Sequence, residues 1–228
     1  MNKRFLKLLK CMVIAEILVA VAGCKSTPQY ANVLQAAEVK RENRKAALKE
    51  MTIEELHREL TKESERGLEP FNSMTLQEVV SRGQSAARSL APLVKKADKS
   101  SLLSLLAVKK VNPDAYTAME SRFRLSVMID ALRTSKYFNT WGLPHVKWED
   151  AAKAIADEKQ AALQALKPLL SDKRQAPVWG SEDYAEYQRY QYRVCDYALA
   201  LTYEARGEKL SIPVDPRERD VLIQRLAQ

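Results

Sequence analysis

The sequence predicts an all-α fold, arranged as a short stack of antiparallel helical hairpins. Three observations carry that expectation. Only 6 of the 228 residues are glycine, sustained period-two alternation of apolar and polar residues is absent, and helix-start and helix-stop signals recur along most of the chain.

Taken in order, residues 36–66 contain long charged stretches with few apolar anchors and read as solvated surface helix. Thr52-Ile53-Glu54-Glu55 and Thr75-Leu76-Gln77-Glu78 both read as capping boxes, in which the Thr hydroxyl and the Glu carboxylate satisfy each other's open backbone N–H groups. Met51 and Met74 precede these caps, and Leu56 and Val79 occupy the fourth helical positions, so each box carries the residues of a hydrophobic staple. Gly67 and Gly83 stand where the two helices should stop. Asn112-Pro113 pairs a cap residue with proline at the first helical position. The helix it opens runs to about Ser135 and is apolar over its last turns, which predicts a central position. From about Tyr184 to Arg206, the residues Tyr187, Tyr190, Val194, Tyr197 and Leu201 recur at three- and four-residue steps. Such a seam either packs against another helix or forms a binding stripe, and packing is the plainer use of tyrosines at this spacing. Gly207 closes that helix, and Asp215-Pro216 opens the last one.

Two spacings suggest internal repetition. The segment Gln84–Val94 lies over Gln160–Leu170 at an offset of 76, with five of the eleven positions identical, and each copy soon reaches Asp-Lys (Asp98-Lys99, Asp172-Lys173). Trp141-Gly142 and Trp179-Gly180 are 38 apart, half that offset, so a unit near 38 residues would stack as helical hairpins. The pattern Leu-x-Pro-Leu-(Leu/Val), followed by Asp and a second helix, resembles HEAT-type repeats. The resemblance covers about half of the chain beyond the N-terminal segment. It implies bends at Pro92 and Pro168, turn residues at Asp98 and Asp172, and a solenoid whose second helices line one surface. The family's Val-Arg is reversed here as Arg193-Val194, and extra residues follow Asp172. The end of a tetratricopeptide repeat is a second likeness, at Tyr197–Tyr203 with Gly207, although that family's period does not fit these spacings.

The N-terminus is organised differently. Lys3, Arg4, Lys7 and Lys10 precede an apolar run from Cys11 to Ala22, interrupted by Glu16, and Val21-Ala22-Gly23 places small residues at a cut site. The run is shorter than the roughly 20 residues of a membrane-spanning helix. With Cys24 directly after it, the segment resembles the lipobox of bacterial lipoproteins. That resemblance implies cleavage before Cys24, acylation of its thiol, and anchorage in a lipid bilayer outside the cytoplasm. Lys25 at the next position, where the family uses Asp for inner-membrane retention, implies an outer membrane facing the periplasm in a cell with two membranes. The domain organisation follows: residues 1–23 as signal peptide, 24–35 as lipid-anchored tether, and 36–228 as the helical repeat-like domain.

Cleavage would remove four basic residues and one acid, lowering the formal charge from +8 to about +5. A mildly basic surface with its Lys and Arg spread along the chain argues against nucleic acid and suits anionic lipid headgroups or an acidic partner. Only Cys195 would remain unmodified, which excludes an internal disulfide. With two histidines in all, a metal site has no ligand set, and no cofactor motif occurs.

Nucleophile signatures are missing as well. His57 lies in a charged helix and reads as a surface residue. His145 sits in the aromatic segment Trp141–Asp150, where Glu149 or Asp150 would serve as an acid–base partner. The aromatic loops are the stronger candidate for a binding surface. Tyr137, Trp141, His145, Lys147 and Trp148 lie in one, Trp179 and Tyr184 in another, and stacked loops would present them together as a hot spot for a protein. The competing reading has each Trp plugging a gap under its own loop. Function follows as an expectation: a membrane-anchored scaffold or assembly factor with a protein partner, or alternatively an envelope hydrolase or glycan-binding protein built around His145.

Overall fold

The computed structural model of the protein describes residues 28–227. The expected signal segment, its expected cut site and Cys24 lie outside the described residues. Among those described, the fold is all-α, with twelve helices and one two-stranded ribbon. Residues 28–50 and 51–227 belong to separate compact units. The first consists of helix α1 (Pro28–Glu50), so residues 28–35 of the expected tether are helical.

The second unit opens with α2 (Ile53–Glu65), capped as the sequence predicts. The Glu55 N–H donates to Thr52 Oγ1 at 3.2 Å, and the Thr52 N–H donates to Glu55 Oε2 at 2.8 Å. Gly67 ends the helix at φ +73°, and the Leu68 N–H closes back on the Glu63 carbonyl. Leu56, Leu60 and Ser64 form a buried stripe, so this part of the charged region is core rather than surface helix. Each fully buried leucine contributes about 1.5–3 kcal/mol. Helix α3 (Met74–Ser81) is capped by Ser73, whose Oγ accepts the Leu76 N–H at 2.9 Å. The expected cap, Thr75, instead lies inside the first turn. Its hydroxyl and that of Ser73 both donate to the Glu63 carboxylate at 2.6 Å.

After Gly83, α4 (Gly83–Leu90) tightens into a 3-10 turn at Ala91–Leu93. Asp98 accepts the Ser100 N–H at the start of another such turn, and α5 (Leu102–Val111) follows. Residues 102–108 of α5 are all buried, against α2, α3, α4 and α7, so α5 is central along with the next segment, whose Leu125, Val127, Met128, Ala131 and Leu132 are buried as expected. That segment divides into α6 (Pro113–Thr117) and α7 (Ser121–Thr134).

Part of the first half of the unit has a counterpart in the second. Helix α8 (Asp150–Ala156) corresponds to α3, and α9 (Gln160–Leu166), with its 3-10 turn Lys167–Ser171, corresponds to α4 and its turn. Buried Thr75, Leu76, Val79, Ala86 and Leu90 return at the same offset of 76 as buried Ala151, Ala152, Ile155, Ala162 and Leu166. Asp172 accepts the backbone N–H two residues on, as Asp98 does. The matching buried helix is α11 (Val194–Arg206), packed on α8, α9 and the 3-10 turn. The offset of 38 does not recur in this way, because Trp141 and Trp179 have unlike surroundings.

Between Asp172 and α11 the second copy carries an insertion containing α10 (Ser181–Tyr190). Sequence periodicity joins α10 to α11, but Gln191 adopts φ +48° and separates them. The chain extends there because the Ala176 N–H donates to the Tyr192 carbonyl and the Val194 N–H to the Arg174 carbonyl, at 2.8 and 2.9 Å. Helix α12 (Pro216–Ala227) closes the fold after the left-handed Gly207. It is fixed by Arg219, which is fully buried, faces Asp196 at 3.1 Å without hydrogen-bond alignment, and donates to the carbonyls of Pro213, Val214 and Tyr190. The buried Arg193 donates to the same Asp196, making a three-residue charged core.

Candidate binding site

The two aromatic loops do meet. The Phe138 N–H donates to the Pro177 carbonyl at 2.8 Å. Asn139 grips the backbone of Trp179 from both sides, donating from Nδ2 to its carbonyl at 2.8 Å and accepting its N–H at Oδ1 at 3.0 Å. One asparagine thus satisfies a loop peptide that has no secondary structure to do so. The Trp179 indole N–H donates to Glu69 Oε1 at 3.1 Å, while Asn72 donates to Oε2 at 2.8 Å. Trp179 is therefore fixed at its backbone and its polar tip, yet 54% of the residue remains exposed. Phe71 lies two residues beyond Glu69 and is 60% exposed. Burial pushes the Glu69 carboxyl above the ordinary carboxylate value, and the charge of Asp183 adds to the rise.

A groove of about 550 Å3 opens beside this edge, between the two copies of the repeat. Pro70, Phe71, Leu76 and Leu106 give it apolar walls, with Asn139 and Thr140 at one side. Its charges are largely paired: Lys109 with Asp157, and Lys110 with Asp150 at 3.9 Å. Rigid exposed aromatics beside an apolar recess are the ingredients of a binding hot spot.

His145 belongs to a different arrangement. It sits at the tip of the ribbon formed by β1 (Gly142–Leu143) and β2 (Lys147–Trp148). Gly142 is required there, since its φ is +84° and a Cβ would stand 2.1 Å from the Lys147 carbonyl oxygen. Tyr197 of α11 donates its hydroxyl to the Gly142 carbonyl at 2.8 Å and anchors the ribbon. The His145 imidazole bonds at Nε2 to Glu186 of α10 at 2.9 Å and at Nδ1 to the Tyr192 hydroxyl at 2.8 Å, and it stacks on Tyr190 with centroids 4.1 Å apart. Its carboxylate partner is thus Glu186, not Glu149 or Asp150. Both ring nitrogens are committed, and the residue acts as a latch that holds α10.

The remaining expected residues divide between surface and core. Tyr137, Lys147 and Tyr184 are exposed, with Lys147 paired to Glu149 at 3.0 Å. Trp148 is half-buried, edge-on to Tyr197 at 6.1 Å. Trp141 is a correction: it is fully buried, with its indole N–H donating to Ser135 Oγ, so it is no part of a binding surface. His57, expected at the surface, is half-buried with Nδ1 3.0 Å from Ser104 Oγ; burial is the main cause lowering its pKa. Cys195 is buried and its thiol is pushed up to about 12 by burial, as befits a small hydrophobe. Sequence reasoning missed Phe71, Glu69, Asn139 and Glu186. Phe71 did carry a signal, an aromatic after Pro70 in a turn between two capped helices.

Among the described residues, no group of three or more His, Cys, Asp and Glu is placed to hold a metal ion, and no helix is long and apolar enough to cross a membrane. No protein-family model matches this sequence, and no curated protein or solved structure matches it either.

Proposed function

We propose that this chain is a lipid-anchored, protein-binding scaffold or assembly factor of the bacterial envelope. The anchor rests on the lipobox-like residues Val21–Cys24 alone. The binding role rests on one observation: Trp179 and Phe71 are exposed beside the groove between the repeat copies, with Trp179 held rigid by Asn139 and Glu69. Immobilising a side chain before association lowers the entropy cost of binding. The test is purification from the native cell of protein tagged after Gln228, with brief crosslinking and mass spectrometry. A stoichiometric partner crosslinked near Lys109, Lys147 and Lys153 supports the reading, and a clean preparation without a partner overturns it. For the anchor, Cys24→Ala should move the protein from the membrane to the soluble fraction.

The alternative, an envelope hydrolase or glycan-binding protein, draws on the carboxylate–histidine pair of Glu186 and His145. It requires His145→Ala to abolish function while partner capture persists.

A further inference from the structure

The exposed Trp179 does not stand among neutral groups. Glu69 is bonded to its indole, and Asp183 in the first turn of α10 lies close enough to raise the Glu69 carboxyl. Asp183 is exposed and makes a long contact of 3.5 Å with Asn139 Nδ2. Lys147, whose charge reaches Asp183, is already paired to Glu149. Two carboxylates therefore lie at this edge, Glu69 on the indole N–H and Asp183 against the Asn139 that holds the Trp179 backbone. An indole face attracts a cation through its quadrupole, and nearby carboxylates add to that attraction. Next to this edge the groove offers the apolar walls of Pro70, Leu76 and Leu106.

We infer that this edge docks a basic polypeptide segment, with an Arg or Lys side chain laid on Trp179 between Glu69 and Asp183 and a neighbouring apolar side chain in the groove. The inference rests on the protein-binding reading and gives it a partner of definite chemistry. Complementary charge at such a site favours capture of the right partner and repels acidic ones, while the apolar anchor supplies most of the affinity.

The test uses the full chain and two fluorescein-labelled ten-residue peptides, one alternating Arg with Leu and one alternating Glu with Leu, followed by anisotropy. The Arg peptide should bind and the Glu peptide should not. Asp183→Asn should weaken binding about twofold and Trp179→Ala about fivefold, as loss of an exposed cation–π contact requires. Glu208→Gln, an exposed acid elsewhere, should leave binding unchanged, and higher salt should weaken the wild type. Equal binding of both peptides, or an equal loss in the Glu208 variant, overturns the inference. A native partner crosslinked at this edge through a segment without Arg or Lys overturns it too, while leaving the binding role in place. If no native partner exists, it is the binding role that falls.

Discussion

The two copies of the repeat share their buried positions but differ in how they hold their polar joints. In the first copy the residue before the left-handed turn is Arg82, which donates to Glu78 at 2.8 Å and to the Met51 carbonyl at 2.7 Å, in a partly exposed setting. In the second copy the matching residue is Glu158, and the charge is reversed. Glu158 receives Arg124 through two bonds, at 2.6 and 2.8 Å, and Ser121 at 2.6 Å, with both ionic side chains more than nine-tenths buried. Arg124 also donates to the carbonyls of Tyr116, Thr117 and Met119, so this one pair ties the end of α6 to the α8–α9 joint. Apolar positions are interchangeable between the copies. Joints are not, because each must be satisfied by whatever donors its own neighbours supply.

The largest effect should come from breaking that second joint. Glu158→Ala leaves Arg124 buried without its carboxylate and should cost about 3–5 kcal/mol, whereas Arg82→Ala should cost about 1 kcal/mol, as a hydrogen bond in a wetter site. Urea denaturation of both variants measures the contrast, and equal losses would show that burial does not set it. Acid sharpens the same comparison. Burial raises the Glu158 carboxyl, but hydrogen bonds from Arg124 and Ser121 outweigh it and leave it below its ordinary value of 4.5. A depressed folded value means the stabilisation is complete above the unfolded value and is lost as pH falls through the folded one. Stability should therefore decline below about pH 4.5, and a Glu158→Gln chain should show less of that decline.

Next come the positions the copies hold in common. Leu90 and Leu166 occupy matching sites and are fully buried, against α5 and α11 respectively. Leu90→Ala and Leu166→Ala should each cost about 2–5 kcal/mol and should lie close to one another. A difference larger than about 1.5 kcal/mol would mean that the two cores relax differently around the cavity.

Gly83 and Lys159 offer a smaller test, with opposite signs. Gly83 opens α4 at φ +76°, and Lys159, at the matching position, stands directly before α9 at φ +48°. The first copy uses glycine, and the second forces a lysine into a conformation with ψ −119° that L residues seldom adopt. Gly83→Ala meets no atom within 4 Å of its Cβ, so its cost, about 1 kcal/mol, is backbone strain alone. Lys159→Gly should instead stabilise by about 0.5–1 kcal/mol, once relief of strain is set against the extra freedom of the unfolded chain. Thermal denaturation of the two variants decides it, and a loss in both would show that Lys159 is held by contacts stronger than its strain.

Features fixed by local chemistry were legible in the sequence. The Thr52 box, the stops at Gly67 and Gly207, and the starts at Asn112 and Asp215 all concern neighbours along the chain. The failures were tertiary. Ser73 and Thr75 are both competent caps, and the choice between them depends on Glu63, which reaches across from α2 to take both hydroxyls. Trp141 and Trp179 have the same following residue and opposite fates, because Ser135 stands ready beneath one loop while Glu69, distant in sequence, takes the indole of the other. The site edge was half legible for that reason: its loops were named, and the residues that orient Trp179 were not.

The insertion that distinguishes the second copy carries the smallest expected effect on global stability and the most local one. Helix α10 is bounded by Gly180 at φ +101° and Gln191 at φ +48°, and among the described residues it is tied to the body by scattered contacts: Glu186 and Tyr190 to His145, Tyr187 to Gln175, Asp183 to Asn139, and the Tyr190 carbonyl to Arg219. A segment held by few contacts opens at a free energy well below that of global unfolding. His145→Ala removes two of these ties at once and should raise amide hydrogen exchange across residues 181–190 by about tenfold, while α5 and α11 keep their protection. Denaturation midpoints should move little, since the first copy has no such insertion and folds around the same buried pattern. Should exchange rise in α11 as well, the histidine would be part of the core of the second copy, and α10 would count as an element of the repeat rather than an addition to it.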